Sequence, residues 1–167
     1  MSKIDAKDRF YYNKDFLGSS TGRSVRILSE YYGPLQKMKR NKISDTIVFF
    51  GSARIMSNRD AKQALNHINK NENDYIRKRM EINLEMSRFY EEARELAREF
   101  TTWSKNLSKT KHRYIICSGG GPGIMEAANR GASEAGGINI GLTISLPNEI
   151  SGNEWISDDL SMKFHYF

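Results

Sequence analysis

The stretch Y-I-I-C-S-G-G-G-P-G-I-M-E-A-A-N-R-G-A, residues 114–132, decides the fold of this chain. It begins with the apolar run 114–117, passes through glycines at 119–121 and at Gly123, and continues into residues typical of a helix. A short apolar run predicts a buried strand, and glycines allow a tight turn between a strand and a helix. The stretch therefore predicts a strand–turn–helix unit, from which parallel α/β sheets are built.

Three further segments predict strands of the same sheet. Residues 46–50 form a continuous apolar run, which is typical of a strand covered on both faces. Residues 139–146 predict another strand, and residues 162–167 open a fourth. Strands that alternate with helices predict an α/β fold, a Rossmann-like parallel sheet flanked by helices. A complete doubly wound sheet has more strands and helices than these, so the sequence predicts only the N-terminal half of such a sheet.

Periodic apolar residues predict the helices. Seven residues at alternating spacings of four and three predict one amphipathic helix over residues 74–107, with this stripe as its core face: Ile82, Met86, Phe89, Ala93, Leu96, Phe100 and Trp103. A short helix is predicted from residue 23 to about 32, because Gly33 and Pro34 are typical of a helix end. Residues 57–73 fit either a polar loop or a weak exposed helix.

Charge divides the chain into two parts. Residues 1–45 hold ten Lys/Arg and five Asp/Glu, which accounts for nearly all of the net charge of +6. We interpret residues 1–45 as a basic N-terminal extension with a short helix, and residues 46–167 as the N-terminal part of a Rossmann-like nucleotide-binding domain. The extension is either a solvated arm or a contact for nucleic acid, and its mixed charges disfavour nucleic acid.

Composition excludes several classes of protein. One cysteine provides neither a disulfide framework nor a cysteine-based metal site, and we expect no metal. Cys117 itself is either a small core residue or a thiolate stabilised by the following helix. No apolar run approaches the roughly 20 residues of a membrane helix, and the N-terminus does not resemble a signal peptide. We therefore expect a cytoplasmic protein without a membrane partner.

The glycine turn predicts an anion site. Free N–H groups at a helix N-terminus favour negative charge, and glycine lets the backbone approach a phosphate. A compact turn without a ligand is the alternative. The carboxyl ends of two strands would bring together Gly51 and Ser52 with Ser118 and Gly119, so the two loops would face one ligand. Arg54 would supply a positive charge there. Glu126 would either offset the helix dipole or reach a ribose hydroxyl.

The common nucleotide motifs do not fit this turn. Glu126 stands where the dinucleotide fingerprint requires its third glycine, and no Gly-Lys-Ser/Thr follows the glycines. A nicotinamide enzyme and a P-loop protein are therefore disfavoured, and we expect no cofactor.

Taken together, three segments resemble the LOG proteins, which are nucleoside 5′-monophosphate phosphoribohydrolases that activate cytokinins. The segments are Phe-Gly-Ser-Ala-Arg at 50–54, Ser-Gly-Gly-Gly-Pro-Gly-Ile-Met-Glu-Ala-Ala-Asn at 118–129 and Phe-His at 164–165. The segment Arg-Ile-Leu-Ser-Glu at 26–30 is similar to the long-form bacterial members, often described as AMP nucleosidases. The resemblance runs from about residue 25 to the last residue.

The resemblance implies a Rossmann-like homodimer that splits the N-glycosidic bond of AMP-type nucleotides without a redox cofactor. The products are the free base and ribose 5-phosphate. By this resemblance Gly51, Ser52 and the loop 118–125 line the nucleotide pocket, so the candidate nucleotide-binding residues are Gly51, Ser52, Arg54, Ser118, Gly119, Gly120, Gly121, Gly123, Met125 and Glu126. In the family, an Arg-Lys pair and a glycine-rich motif with the catalytic Glu follow the Phe-His pair, and this sequence ends at Phe167 before both. A glycosidic bond is cleaved with the help of a carboxylate near the sugar. The catalytic residues are thus unknown and expected beyond Phe167, and this chain is expected to be inactive as a fragment.

Three functions remain from the sequence. The first is an AMP-type N-glycosidase, a hydrolase whose catalytic half lies outside this chain. The second is a nucleotide- or cofactor-binding module without catalysis. The third, a nucleic-acid-binding protein, depends on the basic extension alone. A lysine decarboxylase is disfavoured, because no lysine lies in a context suited to a pyridoxal Schiff base.

Overall fold

The computed structural model describes residues 9–68, 73–145 and 152–167. Short 3-10 turns lie at Phe10–Tyr12 and Asp158–Leu160. The helices and strands of the described residues are α1 (Lys14–Gly18), α2 (Arg23–Arg40), β1 (Thr46–Phe49), α3 (Asn58–Asn66), α4 (Asp74–Ser104), β2 (Ile115–Ser118), α5 (Ile124–Glu134), β3 (Asn139–Ile144) and β4 (Ser161–Phe164).

The four strands form one parallel sheet in the order β1-β2-β3-β4. Because the order advances in one direction, the right-handed crossovers that contain α4 and α5 lie on the same face of the sheet, and the two helices pack on each other. This arrangement confirms the predicted α/β class, a parallel sheet flanked by helices and consistent with a Rossmann-like fold.

The core has two layers, one on each face of the sheet. Neighbouring residues of a strand point to opposite faces, so Ile115 and Ile116 of β2 belong to different clusters. Ile116 packs with alanines of α4 and α5. Ile115 packs with residues of β3 and β4, and Met38 of α2 lies against that cluster. The continuous apolar composition of β2 thus reflects burial on both faces.

Helix α2 is longer than the sequence predicts. It continues through Gly33 and Pro34 to Arg40, whereas we expected it to stop there. Proline removes one hydrogen bond from a helix, but the contacts of the last two turns compensate for that loss. Met38 packs against the core, and Arg40 forms an ion pair with Asp159.

Helix α4 has the predicted extent but a different buried face. Its buried residues are Ser87, Tyr90, Ala97, Thr101 and Ser104. Most of the predicted core stripe is exposed, including Phe89 and Leu96. The prediction that this stripe is core is therefore wrong.

Close packing between α4 and α5 explains the difference. Gly131 of α5 lies directly against the backbone of α4, and a Cβ at this position would overlap the carbonyl oxygen of Arg94 and lie 3.1 Å from the Arg98 nitrogen. Small side chains fit between helices at this distance, and the buried residues of α4 are all small except Tyr90. The buried face lies roughly a quarter turn around the helix from the apolar stripe.

The remaining elements agree with the sequence in outline. Residues 58–66 of the ambiguous segment form a helix, α3, and its N-cap Ser57 accepts a hydrogen bond from the Asp60 amide. Strand β3 ends at Ile144, while Leu146 and the following residues 147–151 lie outside the described residues. Among the described helices, none is long and apolar enough to cross a membrane.

Cys117 is a core residue, and we predict that it resists labelling. Burial raises the pKa of its thiol from 9.0 to about 11. At pH 8 a thiol-specific disulfide reagent should therefore label the native protein only when the structure around Cys117 opens. The same reagent should label the urea-unfolded chain at once. The thiol pKa is higher in the folded than in the unfolded state, so the free energy of unfolding should fall as the pH rises from 9 towards 11. Rapid labelling of the native protein at pH 8 would contradict this assignment.

A second prediction concerns the contact between α4 and α5. Gly131→Ala should lower the free energy of unfolding by about 2 kcal/mol or more, because the added methyl group forces the helices apart. Gly33→Ala is the matched control, since its Cβ meets nothing within 4 Å, and it should stabilise α2 by about 0.5–1 kcal/mol. Urea unfolding of both variants measures the difference, and equal effects would argue against close helix packing.

Candidate functional site

The glycine loop between β2 and α5 has a backbone that requires glycine at two positions. Gly120 and Gly123 have φ angles of +70° and +73°, in the left-handed region. Space is also limiting at Gly123, where a Cβ would lie 2.9 Å from the Cα of Ala53. The loop is thus a specific backbone structure in contact with the segment that follows β1.

The loops after β1 and β2 pack directly on each other at the carboxyl ends of their strands. The Ile124 amide donates to the carbonyl oxygen of Ser52, at 3.1 Å. Gly51 lies against the Ile124 side chain, so closely that a Cβ would come within 2.8 Å of its Cγ1. The structure therefore brings together the two loops in which the sequence places its candidate residues.

The first turn of α5 presents amide groups at this junction. The first N–H groups of a helix have no acceptor within the helix. Ser52 accepts from Ile124, but no acceptor among residues 9–68, 73–145 and 152–167 pairs with the amides of Met125 and Glu126. These donors and the positive end of the helix dipole favour an anion at the loop.

A buried amide side chain holds the glycine loop from beneath. Asn129 of α5 is fully buried and uses all four of its hydrogen-bonding positions. Its Nδ2 donates to Asn139 Oδ1 at 2.8 Å and to the Ile140 carbonyl oxygen at 3.1 Å. Its Oδ1 accepts from Ser118 Oγ at 2.6 Å and from Asn153 Nδ2 at 3.0 Å. Asn129 thus joins β2, β3, α5 and the segment that leads to β4.

Asn153 fixes the carbonyl groups of the same loop. Its backbone N–H donates to the Gly120 oxygen at 2.8 Å, and its Nδ2 lies 3.1 Å and 3.2 Å from the oxygens of Gly120 and Gly121. Ser118 Oγ accepts from the Gly120 amide at 3.0 Å. With these carbonyl groups turned inward, the outer side of the loop remains available to a ligand.

The candidate residues differ in their surroundings. Gly51, Ser52 and Arg54 lie on the exposed loop after β1, where the Arg54 amide donates to Ser52 Oγ. Ser118 is buried and its hydroxyl is bonded to the loop and to Asn129, so it supports the site from inside.

The glycine loop itself is partly open. Gly119 is exposed, Gly120 and Gly123 are buried, and Gly121 is half-buried. The thioether of Met125 covers the inner part of the loop, close to Gly119 and Gly121. The exposed surface of the loop therefore lies around Gly119 and the first turn of α5.

Glu126 already has a partner in the protein. Tyr90 Oη of α4 donates to its Oε1 at 2.7 Å. Burial and this hydrogen bond raise the pKa of Tyr90, so the phenol keeps its proton at neutral pH. The contact ties α5 to α4 and gives Glu126 a structural role, while a ribose contact remains a prediction.

Sequence reasoning did not identify the asparagines. The sequence contains one clue to Asn129, which is a polar amide among alanines on the helix face that packs on the sheet. The sequence contains no clue to Asn153, since this residue follows a polar segment without periodicity. No buried side-chain nitrogen or oxygen lacks a hydrogen bond in the described part of the chain. That part also holds no group of three or more residues suited to a metal ion.

Comparison with known families gives one match. Residues 92–160 match the model of the SLOG cluster4 family, LDcluster4. The match covers less than half of the chain and includes the second half of α4, the glycine loop, α5 and β3, but not the loop at 51–54. The SLOG superfamily includes LOG-like proteins, so the match supports a nucleotide-related function in general. No curated protein matches the chain.

The asparagine network yields a stability prediction. Asn129→Ala should lower the free energy of unfolding by about 3 kcal/mol, because it leaves several buried partners without hydrogen bonds. Asn106→Ala is the matched control, since its exposed side chain donates to the Thr102 carbonyl oxygen at the surface, and it should change stability by less than about 0.5 kcal/mol. Denaturant unfolding measures both, and a small loss for Asn129→Ala would contradict the structural role of the network.

Proposed function

We propose that the glycine loop and the loop after β1 bind an AMP-type nucleoside 5′-monophosphate. We further propose that the site is that of a nucleotide N-glycosidase, a hydrolase that releases the free base and ribose 5-phosphate. The observation that carries the proposal is the glycine loop at the N-terminus of α5, where the amides of Met125 and Glu126 meet no acceptor in the described part of the chain and a second loop lies alongside.

The chemistry of a phosphate fits this position. A phosphate accepts hydrogen bonds from backbone amides, and the amides of Met125 and Glu126 lie at the positive end of α5. Gly119 leaves room for close approach, and exposed Arg54 supplies a positive charge on the neighbouring loop. Binding by fixed backbone groups requires little reorganisation, which favours affinity.

Catalysis needs a further group. Cleavage of an N-glycosidic bond is helped by a carboxylate close to the sugar, where positive charge develops. Glu126 is the acid next to the loop, and its hydrogen bond to Tyr90 favours a structural role. The resemblance places the catalytic Glu in a glycine-rich motif that would follow Phe167 in the sequence.

A non-catalytic nucleotide-binding module is the second candidate. The hydrogen bond from Tyr90 to Glu126 favours this second candidate. It gives Glu126 a structural role, so the site is left with groups that bind a nucleotide but with no catalytic acid from Glu126. The two candidates share the same ligand and differ in whether the ligand is consumed.

A binding experiment tests the shared part of both proposals. AMP should raise the melting temperature of the protein, and Gly119→Val should abolish this shift, because its side chain occupies the approach to the loop. Gly119 has no positive φ, and a Cβ there meets mainly the flexible Met125 thioether, so the variant should fold. Gly18→Val, with nothing within 4 Å of its Cβ, is the control that should keep the AMP shift. No shift with the unmodified protein would overturn both candidates.

A turnover experiment separates the two candidates. Chromatography of AMP incubations should show adenine with a form of the protein that carries the glycine-rich glutamate motif after Phe167, and no adenine with the present chain. Binding without adenine release by the longer form would reject the N-glycosidase and favour the binding module.

A further inference from the structure

We propose that the edge of the sheet formed by the amino ends of its strands binds the phosphate backbone of a single-stranded nucleic acid. Two segments form this edge: residues 39–45 end α2 and lead into β1, and residues 105–114 lead from α4 into β2. We define the basic edge by six of their cations, which are Lys39, Lys42, Lys105, Lys109, Lys111 and Arg113. Because the strands are parallel, the glycine loop lies at the opposite edge, and binding here is independent of the proposed function.

The net charge of the protein is concentrated in these two segments. Residues 37–45 and 105–114 together hold eight Lys/Arg and one Asp/Glu, a net charge of +7. The rest of the chain holds 18 Lys/Arg and 19 Asp/Glu and is nearly neutral. The sequence places most of the excess in residues 1–45, and the fold brings the most basic part of that extension next to a second basic segment. A surface with so much charge of one sign attracts polyanions.

Hydrogen bonds of the backbone hold the two segments together. The Ser44 amide donates to the His112 carbonyl oxygen, and the His112 amide donates to the Lys42 carbonyl oxygen, both at 2.9 Å. These bonds continue the pairing of β1 with β2 beyond the start of both strands, at a bridge between Ile43 and His112. The backbone that carries the cations is therefore fixed.

Lys111 lies where two depressions of this surface meet. It lines one of them together with Lys39 and Lys42, and it lines the other together with Lys105 and Arg113. The cations of both segments thus form one continuous surface.

The length of this surface suits several phosphates of one strand. Residues 136–138, which precede β3, also line the second depression, so the basic edge passes below β1, β2 and β3. Strands of a sheet lie about 4.8 Å apart, so the starts of these three strands span about 10 Å. At a spacing of roughly 3.4 Å, this length accommodates about three phosphates.

Most of the basic edge is not neutralised by the described part of the protein. Among residues 9–68, 73–145 and 152–167, no carboxylate forms an ion pair with any of four exposed lysines, which are Lys39, Lys42, Lys109 and Lys111. Arg113 does pair with Asp45, at 2.6 Å, and Lys105 donates to the carbonyl oxygen of Ala135 at 2.9 Å. The four lysines are therefore available to phosphates, whose condensed counterions are released when a protein cation replaces them.

Lys42 occupies a backbone position at which glycine is usual. Helix α2 ends in a Schellman motif, in which the Lys42 amide donates to the Lys39 oxygen and the Ile43 amide donates to the Met38 oxygen. The residue after the helix end is left-handed in this motif, and Lys42 has a φ angle of +53°. A non-glycine residue in this conformation is strained, and such strain is concentrated at functional positions. A need for charge at this point of the surface explains why a lysine stands there.

Tyr114 is the other non-glycine residue with a left-handed backbone in the described part of the chain, at a φ angle of +51°. Its ring stacks on that of Trp103 with centroids 5.2 Å apart, and the Arg113 guanidinium lies 4.9 Å from its centroid. Trp103 is 48% exposed. Bases of single strands stack on aromatic rings beside a basic surface. Lysine, in contrast, is depleted from interfaces between proteins, so these groups favour a nucleic acid over an acidic protein.

Fluorescence anisotropy with a labelled oligothymidine of about 16 nucleotides tests the proposal. The protein should bind this single strand with a dissociation constant in the micromolar range at about 50 mM salt, and more weakly as salt is added. Three phosphate contacts predict a slope of about −2 when the logarithm of the association constant is plotted against the logarithm of the salt concentration.

Charge reversal locates the binding surface. Lys42→Glu combined with Lys111→Glu should raise the dissociation constant at least about tenfold. Lys62→Glu combined with Lys78→Glu is the matched control, because it changes the net charge equally at exposed positions of α3 and α4. The control should raise the dissociation constant less than about threefold, since salt screens distant charges. Circular dichroism verifies that both variants fold.

Lys42→Gly separates binding from stability. It should raise the melting temperature by about 2–4 °C, because glycine adopts the left-handed conformation without strain. It should also weaken the binding of oligothymidine by about threefold, because one phosphate contact is lost. A loss of binding in a more stable protein cannot come from damage to the fold.

Competition identifies the class of ligand. Excess AMP should not displace the labelled strand, because the glycine loop lies at the other edge of the sheet. Polyglutamate should displace it less well than unlabelled oligothymidine of the same total charge, because polyglutamate has no bases to stack. Displacement by AMP, or equal displacement by polyglutamate, would overturn the proposal, and so would no binding, equal effects of the two double variants or unchanged binding by Lys42→Gly.

Discussion

The hydrogen bonds of Asn129 are the interaction on which the architecture of the site depends. One buried amide connects β2 through Ser118, β3 through Asn139 and Ile140, and the segment before β4 through Asn153. A buried amide is costly unless every donor and acceptor is paired, and here all four are paired. This requirement fixes the end of β2, the start of β3 and the segment before β4 relative to one another. The glycine loop is hydrogen-bonded to this network, so the network fixes the position of the loop.

The distance between α4 and α5 is the second constraint, and it has effects on both sides of the helices. Gly131 allows the helices to approach until backbone meets backbone, and apart from Tyr90 the residues that α4 buries are small. The hydrogen bond between Tyr90 and Glu126 then joins the helices next to the site. The large apolar residues of α4 remain on the outside of the helix pair, where most of them are exposed.

The site combines a rigid support with a small set of free donors. Asn153 and Ser118 hold polar groups of the loop, while the amides of Met125 and Glu126 meet no acceptor among the described residues. In the proposed function, an anion binds to backbone amides, and such binding needs few specific side chains. This explains why the glycine motif is prominent in the sequence, while the asparagines that support it are not.

The sequence by itself determined the strands, the long helix, the α/β class and the position of the glycine loop, because these depend on local apolar patterns and on backbone freedom. The tertiary structure decided which face of α4 is buried, because periodicity shows that a helix is amphipathic but not which neighbour it meets. It also decided that α2 continues past Pro34, since contacts of Met38 and Arg40 outweigh a local helix-breaking signal. The Asn129 network joins residues far apart in the chain, so only the folded structure brings its partners together.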